Sequence, residues 1–158
     1  MGKGAAKLLV KDQRFDTSGY VYPGECARQI NGRIRNVPSS DVTVIMAGTI
    51  DIERRRVDDC KEEVRKVMDN ISRKRKGKTV IMTELALKTD KQYLNVKIKQ
   101  VNAYLHDLAI NYENVHMLEL DNGRGDLRDG LHFNEQGMGK LCLNIRAKIK
   151  ELKLYKCL

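Results

Sequence analysis

The chain has 158 residues, of which 41% are hydrophobic and 32% are charged, and its formal net charge is +9. This length suits one compact domain over residues 1–158, and the composition excludes a globally disordered chain. No apolar stretch is long enough to span a bilayer, and the first ten residues lack the apolar core of a secretory signal peptide. A cytoplasmic protein is therefore expected.

The four cysteines lie far apart and form no Cys-x-x-Cys pair; they are Cys26, Cys60, Cys142 and Cys157. This spacing argues against a zinc ribbon and provides no disulfide framework. Reduced thiols with a structural role are therefore expected.

Short apolar runs predict four strands, at residues 17–22, 41–47, 78–83 and 114–119. The first run is the weakest, and the second and third are nearly continuous in β-branched and apolar residues, as in strands covered on both faces. Helical spacing of apolar residues predicts helices at residues 25–35, 57–72, 93–112 and 134–152. The alternation predicts a parallel sheet with helices on both faces, where function gathers at the carboxyl ends of the strands.

The last junction between a strand and a helix carries the candidate catalytic pair. Asp129 and His132 are three residues apart, just before a helix that Asn134 could cap. A turn of this spacing lets the carboxylate accept from Nδ1 of the imidazole, which leaves Nε2 free to act as a base. His106 lies in a helical pattern and His116 in a strand, where hydrogen-bonded structural histidines are expected.

Residues 129–137 closely resemble the final block of the SGNH (GDSL-type) hydrolases, whose Asp-x-x-His supplies two members of a catalytic triad. Residues 42–51 resemble the third block, an apolar strand that ends in Gly-x-Asn-Asp. Gly24 stands where the second block has its oxyanion-hole glycine, and Asn102 begins a match to the Asn-x-x-Leu usual in the long helix. The resemblance implies a three-layer α/β/α sandwich with a parallel sheet, the flavodoxin-like SGNH hydrolase fold, lacking its first strand.

The function that this resemblance implies is that of a serine esterase acting on small esters or acetylated substrates. His132 would be the general base and Asp129 would orient it. Gly24 would contribute a backbone N–H to the oxyanion hole, and Gly48 and Asp51 would shape the adjoining loop. No metal or organic cofactor is implied.

Two departures from the family pattern limit this expectation. Ile50 stands in place of the family's asparagine and offers no donor to the oxyanion. The Gly-Asp-Ser block with the nucleophile is absent, and residues 4–10 have a helical pattern with no strand before it, so the reading frame is expected to begin one strand too late. Ser18 and the other serines belong to other elements. The chain as given is therefore predicted to be inactive or very weak, and less stable than a domain with the interior strand present.

The positive charge supports an alternative class of function. The densest basic run, residues 72–78, fits a solvated helix end that complements the helix dipole. It also fits weak, non-specific contact with nucleic acid, as in a non-catalytic binding module of a retroelement-like protein. Aromatic residues are only 5% of the chain, and no aromatic–basic motif of a stacking platform is present. A decayed gene product without activity is the third alternative.

Overall fold

The computed structural model describes residues 8, 18–20, 22, 24–130 and 132–154. Residues 22–121 form one compact unit, here called the sheet unit, and residues 1–21 with 122–158 form the other, the terminal unit. The predicted helix over 4–10 and the weak strand over 17–22 lie mostly outside the described residues. Of their described parts, Leu8 is helical, and residues 18–20 and 22 belong to no helix or strand. A single domain over the whole chain stays a prediction.

The sheet unit contains three parallel strands in the order β1-β2-β3. They are β1 (Val42–Ile45), β2 (Thr79–Thr83) and β3 (Val115–Leu118). All five residues of the central β2 are buried, as expected of a β-branched and apolar strand covered on both faces. The predicted α/β fold with a parallel sheet is confirmed.

Helices alternate with these strands: α1 (Ala27–Arg33), α2 (Thr49–Arg54), α3 (Val57–Lys74) and α4 (Asn95–Ala109). The longest of them, α3, buries one face that consists of Cys60, Val64, Val67, Met68 and Ile71. Burial of each valine, isoleucine or methionine side chain of this face contributes about 1.5–3 kcal/mol. Acidic residues in the first turn of α3 and basic residues in its last turn complement the helix dipole.

The end of α3 is held by long-range hydrogen bonds from polar side chains. The Asn114 amide donates to the carbonyl oxygens of Ser72 at 3.1 Å and of Arg75 at 2.9 Å. The buried guanidinium of Arg75 donates to the carbonyl oxygens of Val37 and Pro38 at 2.8 and 3.1 Å. Part of the basic run over 72–78 is therefore structural, because Arg75 ties the helix end to the segment before β1.

The described part of the terminal unit consists mainly of α5 (Glu135–Leu154), which follows a 3₁₀ turn over Arg124–Asp126. Its buried apolar residues are Leu127, Met138, Leu141, Cys142, Ile145 and Ile149. The Arg146 guanidinium donates to the carbonyl oxygen of Leu8 at 3.0 Å. None of the described helices combines the length and the apolar character that a bilayer span requires.

Candidate active site

The loop between the 3₁₀ turn and α5 folds back on itself as a short hairpin. Leu127 and Phe133 form an isolated antiparallel bridge, and the Arg128 N–H donates to the carbonyl oxygen of His132 at 2.7 Å. Gly130 has a φ of 75°, a left-handed conformation that glycine adopts without strain. Residues 127 and 128 are therefore held beside residues 132 and 133.

Asp129 and His132 form a two-point contact at this tip. Oδ2 of Asp129 lies 2.7 Å from Nδ1 of His132, and Oδ1 accepts the backbone N–H of His132 at 2.7 Å. Because an ionised carboxylate only accepts hydrogen bonds, Nδ1 must carry the proton. Nε2 then presents its lone pair, and the imidazole is 44% exposed. The predicted contact is confirmed, and the arrangement can accept a proton at Nε2.

Two residues at the base of this loop, Asp126 and Gly137, were not predicted from the sequence to have a role in the site. Asp126 is buried, and hydrogen bonds from the Gly123 N–H and the Lys140 ammonium hold the pKa of its carboxyl below the usual value. Gly137 lies in the first turn of α5 so close to Asp126 that a Cβ atom would overlap the carbonyl oxygen of that residue. The only sequence signal for either was the presence of a glycine in a helical pattern.

Asp51 is fully buried near the start of α2 in the sheet unit. Oδ2 accepts the backbone N–H of Ala27 at 2.7 Å, and Oδ1 forms an ion pair with Nε of Arg55 at 2.9 Å. The Ala27 N–H belongs to the first turn of α1, where helical N–H groups have no partner within the helix. Asp51 therefore joins the start of α1 to α2.

Gly48 and Ile50 lie at the carboxyl end of β1. Gly48 has a φ of 106°, and a Cβ atom there would stand 2.9 Å from Cγ1 of Val64, so glycine is required on both grounds. Ile50 is half-buried in the first turn of α2. Its aliphatic side chain provides no hydrogen-bond donor at this end of the sheet.

Gly24 lies in the turn before α1 and has a φ of 73°, with open space where a Cβ atom would stand. Through the bond from Ala27 to Asp51, the helix after this turn is joined to the first turn of α2. Gly24, Gly48, Ile50 and Asp51 are thus all part of the sheet unit, and Asp129 and His132 are part of the terminal unit. That the two sets form one active site stays a prediction.

The polar side chains near the carboxyl end of β2 form hydrogen bonds within the protein. His106 is one of them, as expected of a structural histidine. Its Nε2 lies 2.8 Å from Oε1 of Glu84, whose other oxygen accepts the Leu120 N–H at 3.0 Å. The buried amide of Asn102 exchanges two hydrogen bonds with the backbone of Leu85, at 2.8 and 3.0 Å. These contacts fix α4 against the segments that leave β2 and β3.

Two serine hydroxyls of the sheet unit have hydrogen-bond partners near the amino ends of the strands. The Ser40 hydroxyl bonds to the carbonyl oxygen of Val42 at 2.9 Å, and the Ser72 hydroxyl bonds to Oδ1 of Asn114 at 2.7 Å. Because the strands are parallel, this edge is opposite to the one at which Gly48 lies. Neither hydroxyl is therefore a candidate nucleophile for an active site at the edge of the sheet where Gly48 lies. Among the residues that the structure describes, no three acidic, histidine or cysteine side chains gather closely enough to hold a metal ion.

No protein-family profile and no curated protein sequence matches the chain. Solved structures do match it. A member of the lipolytic G-D-S-L family from Veillonella parvula superposes with a TM-score of 0.71 and 20% identity, over 91% of this chain and 87% of its own. A carbohydrate esterase family 3 from Talaromyces cellulolyticus has a TM-score of 0.73 and 19% identity, over 87% of this chain and 72% of its own.

A family 3 carbohydrate esterase from Clostridium thermocellum covers 97% of this chain and 87% of its own, with a TM-score of 0.70 and 16% identity. The family resemblance at residues 24, 42–51 and 129–137 implied this fold, and the backbone superpositions show the same fold. The chain has the α/β fold of the SGNH (GDSL-type) hydrolases.

Proposed function

We propose that this chain carries the acid–base half of an ester-hydrolase active site. The observation that supports the proposal most is the 2.7 Å contact between Oδ2 of Asp129 and Nδ1 of His132, which leaves Nε2 as the ring nitrogen that can accept a proton. The proposed substrates are small esters or acetyl groups, in keeping with solved structures of the same fold described as an acetyl esterase and as carbohydrate esterases.

In the proposed reaction, Nε2 of His132 takes the proton of a serine hydroxyl as its oxygen bonds to the ester carbonyl carbon. Asp129 stabilises the imidazolium that forms, and a backbone N–H at Gly24 stabilises the oxyanion. The imidazolium then gives its proton to the departing alcohol as the ester C–O bond breaks. Water repeats the sequence on the acyl-serine, which releases the acid and regenerates the serine.

The serine in this scheme must come from a Gly-Asp-Ser segment, which the sequence does not contain. We expect the isolated chain to give no burst with p-nitrophenyl acetate and no labelling by a fluorophosphonate probe. A version extended at its amino end by an apolar strand that ends in Gly-Asp-Ser should label. His132→Ala in the extended protein should slow labelling by at least about a hundredfold, because the hydroxyl loses its general base.

The matched control is Ser→Ala in the added segment, which should abolish labelling without changing the circular dichroism spectrum. Asp129→Asn should lower the rate while leaving the nucleophile in place. An extended protein that folds but does not label would count against the proposal. Labelling of the unextended chain at Ser18 would refute the need for the added segment.

A second candidate, non-catalytic contact with nucleic acid, is favoured by one group of side chains. Arg35, Lys74 and Lys76 are exposed and form no ion pair with a described residue. They precede β1 or β2, and because these strands are parallel they lie at the same end of the sheet unit. The bonds from Arg75 to Val37 and Pro38 hold the two segments together there.

We expect weak binding to RNA and DNA alike, with an affinity that falls steeply with salt. Three phosphate contacts give a slope of about −3 for the logarithm of affinity against that of salt concentration. Replacing Arg35, Lys74 and Lys76 together by alanine should remove most of this slope, measured by fluorescence anisotropy. Lys66→Ala with Lys78→Ala is the control, since both side chains are already paired with carboxylates. Binding that survives high salt or discriminates sequences would contradict an electrostatic origin.

A further inference from the structure

The hairpin that bears Asp129 and His132 is closed at its base by Asp126. The carbonyl oxygen of Asp126 accepts the Asn134 N–H at 2.9 Å, so the two ends of residues 126–134 are joined. The Asn134 amide donates to the carbonyl oxygen of Gly125 at 2.6 Å, which adds a second bond at the same place. The hairpin is therefore a closed loop whose orientation depends on how its base is held.

The Asp126 side chain holds this base against α5. Its carboxylate is 2% exposed and accepts three hydrogen bonds. Oδ2 accepts the Gly123 N–H and the Lys140 ammonium, each at 2.9 Å, and Oδ1 accepts the Gln136 amide at 3.2 Å. A buried carboxylate with three donors, one of them charged, makes a stronger attachment than neutral contacts would.

Gly137 allows the close approach that this attachment requires. A Cβ atom on Gly137 would overlap the carbonyl oxygen of Asp126, and it would stand 2.8 Å from Cδ1 of Phe133. The backbone N–H of Gly137 donates to Oδ1 of Asn134 at 2.9 Å, which caps α5. The first turn of α5 and the base of the hairpin therefore touch through backbone, with no room for a side chain.

We propose that Asp126 is a positioning residue for the Asp129–His132 pair: together with Gly137 it fixes the base of the hairpin on α5 and so keeps Oδ2 of Asp129 within hydrogen-bond reach of Nδ1 of His132. This rests on the proposed function, because the contact matters for catalysis only if Nε2 receives a proton. Asp126 touches neither His132 nor a reacting atom. Its effect passes through the backbone bonds at the base and the Leu127–Phe133 bridge.

The test uses the chain as it exists and reads the imidazole tautomer of His132 by long-range ¹H–¹⁵N spectroscopy over a pH series, with the tautomer taken from the neutral form of the ring. In the unchanged protein the Nδ1–H tautomer should dominate. Gly137→Ala should reduce its population by about half or more, because the added methyl group pushes the base of the hairpin away from α5. Gly139→Ala on the same helix is the matched control, since a Cβ atom there meets nothing within 4 Å.

A second pair of variants keeps the test decisive if Gly137→Ala does not fold. Lys140→Met removes one donor to Asp126 from a half-exposed position and should also lower the Nδ1–H population, whereas Lys140→Arg should restore it. Lys148→Met removes an exposed ion pair of α5 and should change nothing. An unchanged tautomer in Gly137→Ala and in Lys140→Met would overturn the positioning role. Failure of the Gly-Asp-Ser-extended protein to label, with the tautomer as expected, would instead overturn the proposed function.

Discussion

Replacing Ile50 by asparagine in the Gly-Asp-Ser-extended protein is expected to raise esterase turnover roughly tenfold to a thousandfold. Ile50 lies in the first turn of α2, two residues after Gly48. Its side chain offers nothing to a developing oxyanion, whereas an asparagine amide offers an N–H donor. A donor of this kind is typically worth about a hundred- to a thousandfold in kcat, because it acts on charge that develops only in the transition state. The measurement is kcat for p-nitrophenyl acetate.

The control for this substitution is Ile50→Leu, because leucine has nearly the shape of asparagine and no donor. It should leave kcat within about twofold of the parent, since conservative apolar exchanges are well tolerated. An equal gain from leucine and asparagine would assign the effect to shape. No gain from asparagine in a protein that labels with the probe would mean that its amide does not reach the oxyanion.

Asp51→Ala is expected to lower the free energy of unfolding by about 2–3 kcal/mol. The substitution leaves the buried Ala27 N–H without its 2.7 Å acceptor and removes the 2.9 Å partner of Arg55. An unpaired buried donor accounts for most of the loss, because the Arg55 side chain is 36% exposed and can turn to water. Urea denaturation followed by circular dichroism measures the change.

Asp41→Ala is the matched comparison for Asp51→Ala. Its carboxylate is 91% exposed and pairs with the Lys78 ammonium at 2.6 Å. An exposed ion pair of this kind contributes about 0–1 kcal/mol, so the midpoint in urea should barely move. Equal losses for the two variants would mean that the bond from Ala27 to Asp51 has little weight in the stability of the protein.

The strands and long helices were predictable because their burial can be read from the local sequence. β2 is a short continuous run of apolar and β-branched residues, and α3 has a single apolar face with helical spacing. The predicted strands were slightly too long, as at residues 41 and 78. There Asp41 and Lys78 pair through their side chains just before the ladder begins, so the polar residues mark the strand ends.

Helix α2 was not predicted, and its contacts explain why. Its sequence mixes two isoleucines with charged residues and has no clear helical period. The contact that joins Asp51 to Ala27 spans 24 positions. A segment whose stability depends on a partner so far away carries no sufficient local signal.

The candidate site was predictable only in part. Asp129 and His132 are three residues apart beside a glycine, and Asn134 has a capping position, so both contacts could be inferred from spacing alone. The role of Asp126 could not, because two of its donors, Gln136 and Lys140, come from the helix that follows the hairpin. Their approach depends on the packing of Gly137 rather than on a sequence pattern.

The two parallel ladders of the sheet unit also determine how the protein folds. Val42 pairs with Thr79, and Val80 pairs with Val115, so the partners lie 37 and 35 positions apart (79 − 42 and 115 − 80). The loop-closure entropy of each connection is lost before its ladder forms, and such non-local pairing makes folding slow. Helices α3 and α4 lie within these connections and can form locally, on a timescale of about a microsecond. The helices therefore shorten the distance that the strand partners must close, and the rate of folding depends on how well those two helices form by themselves.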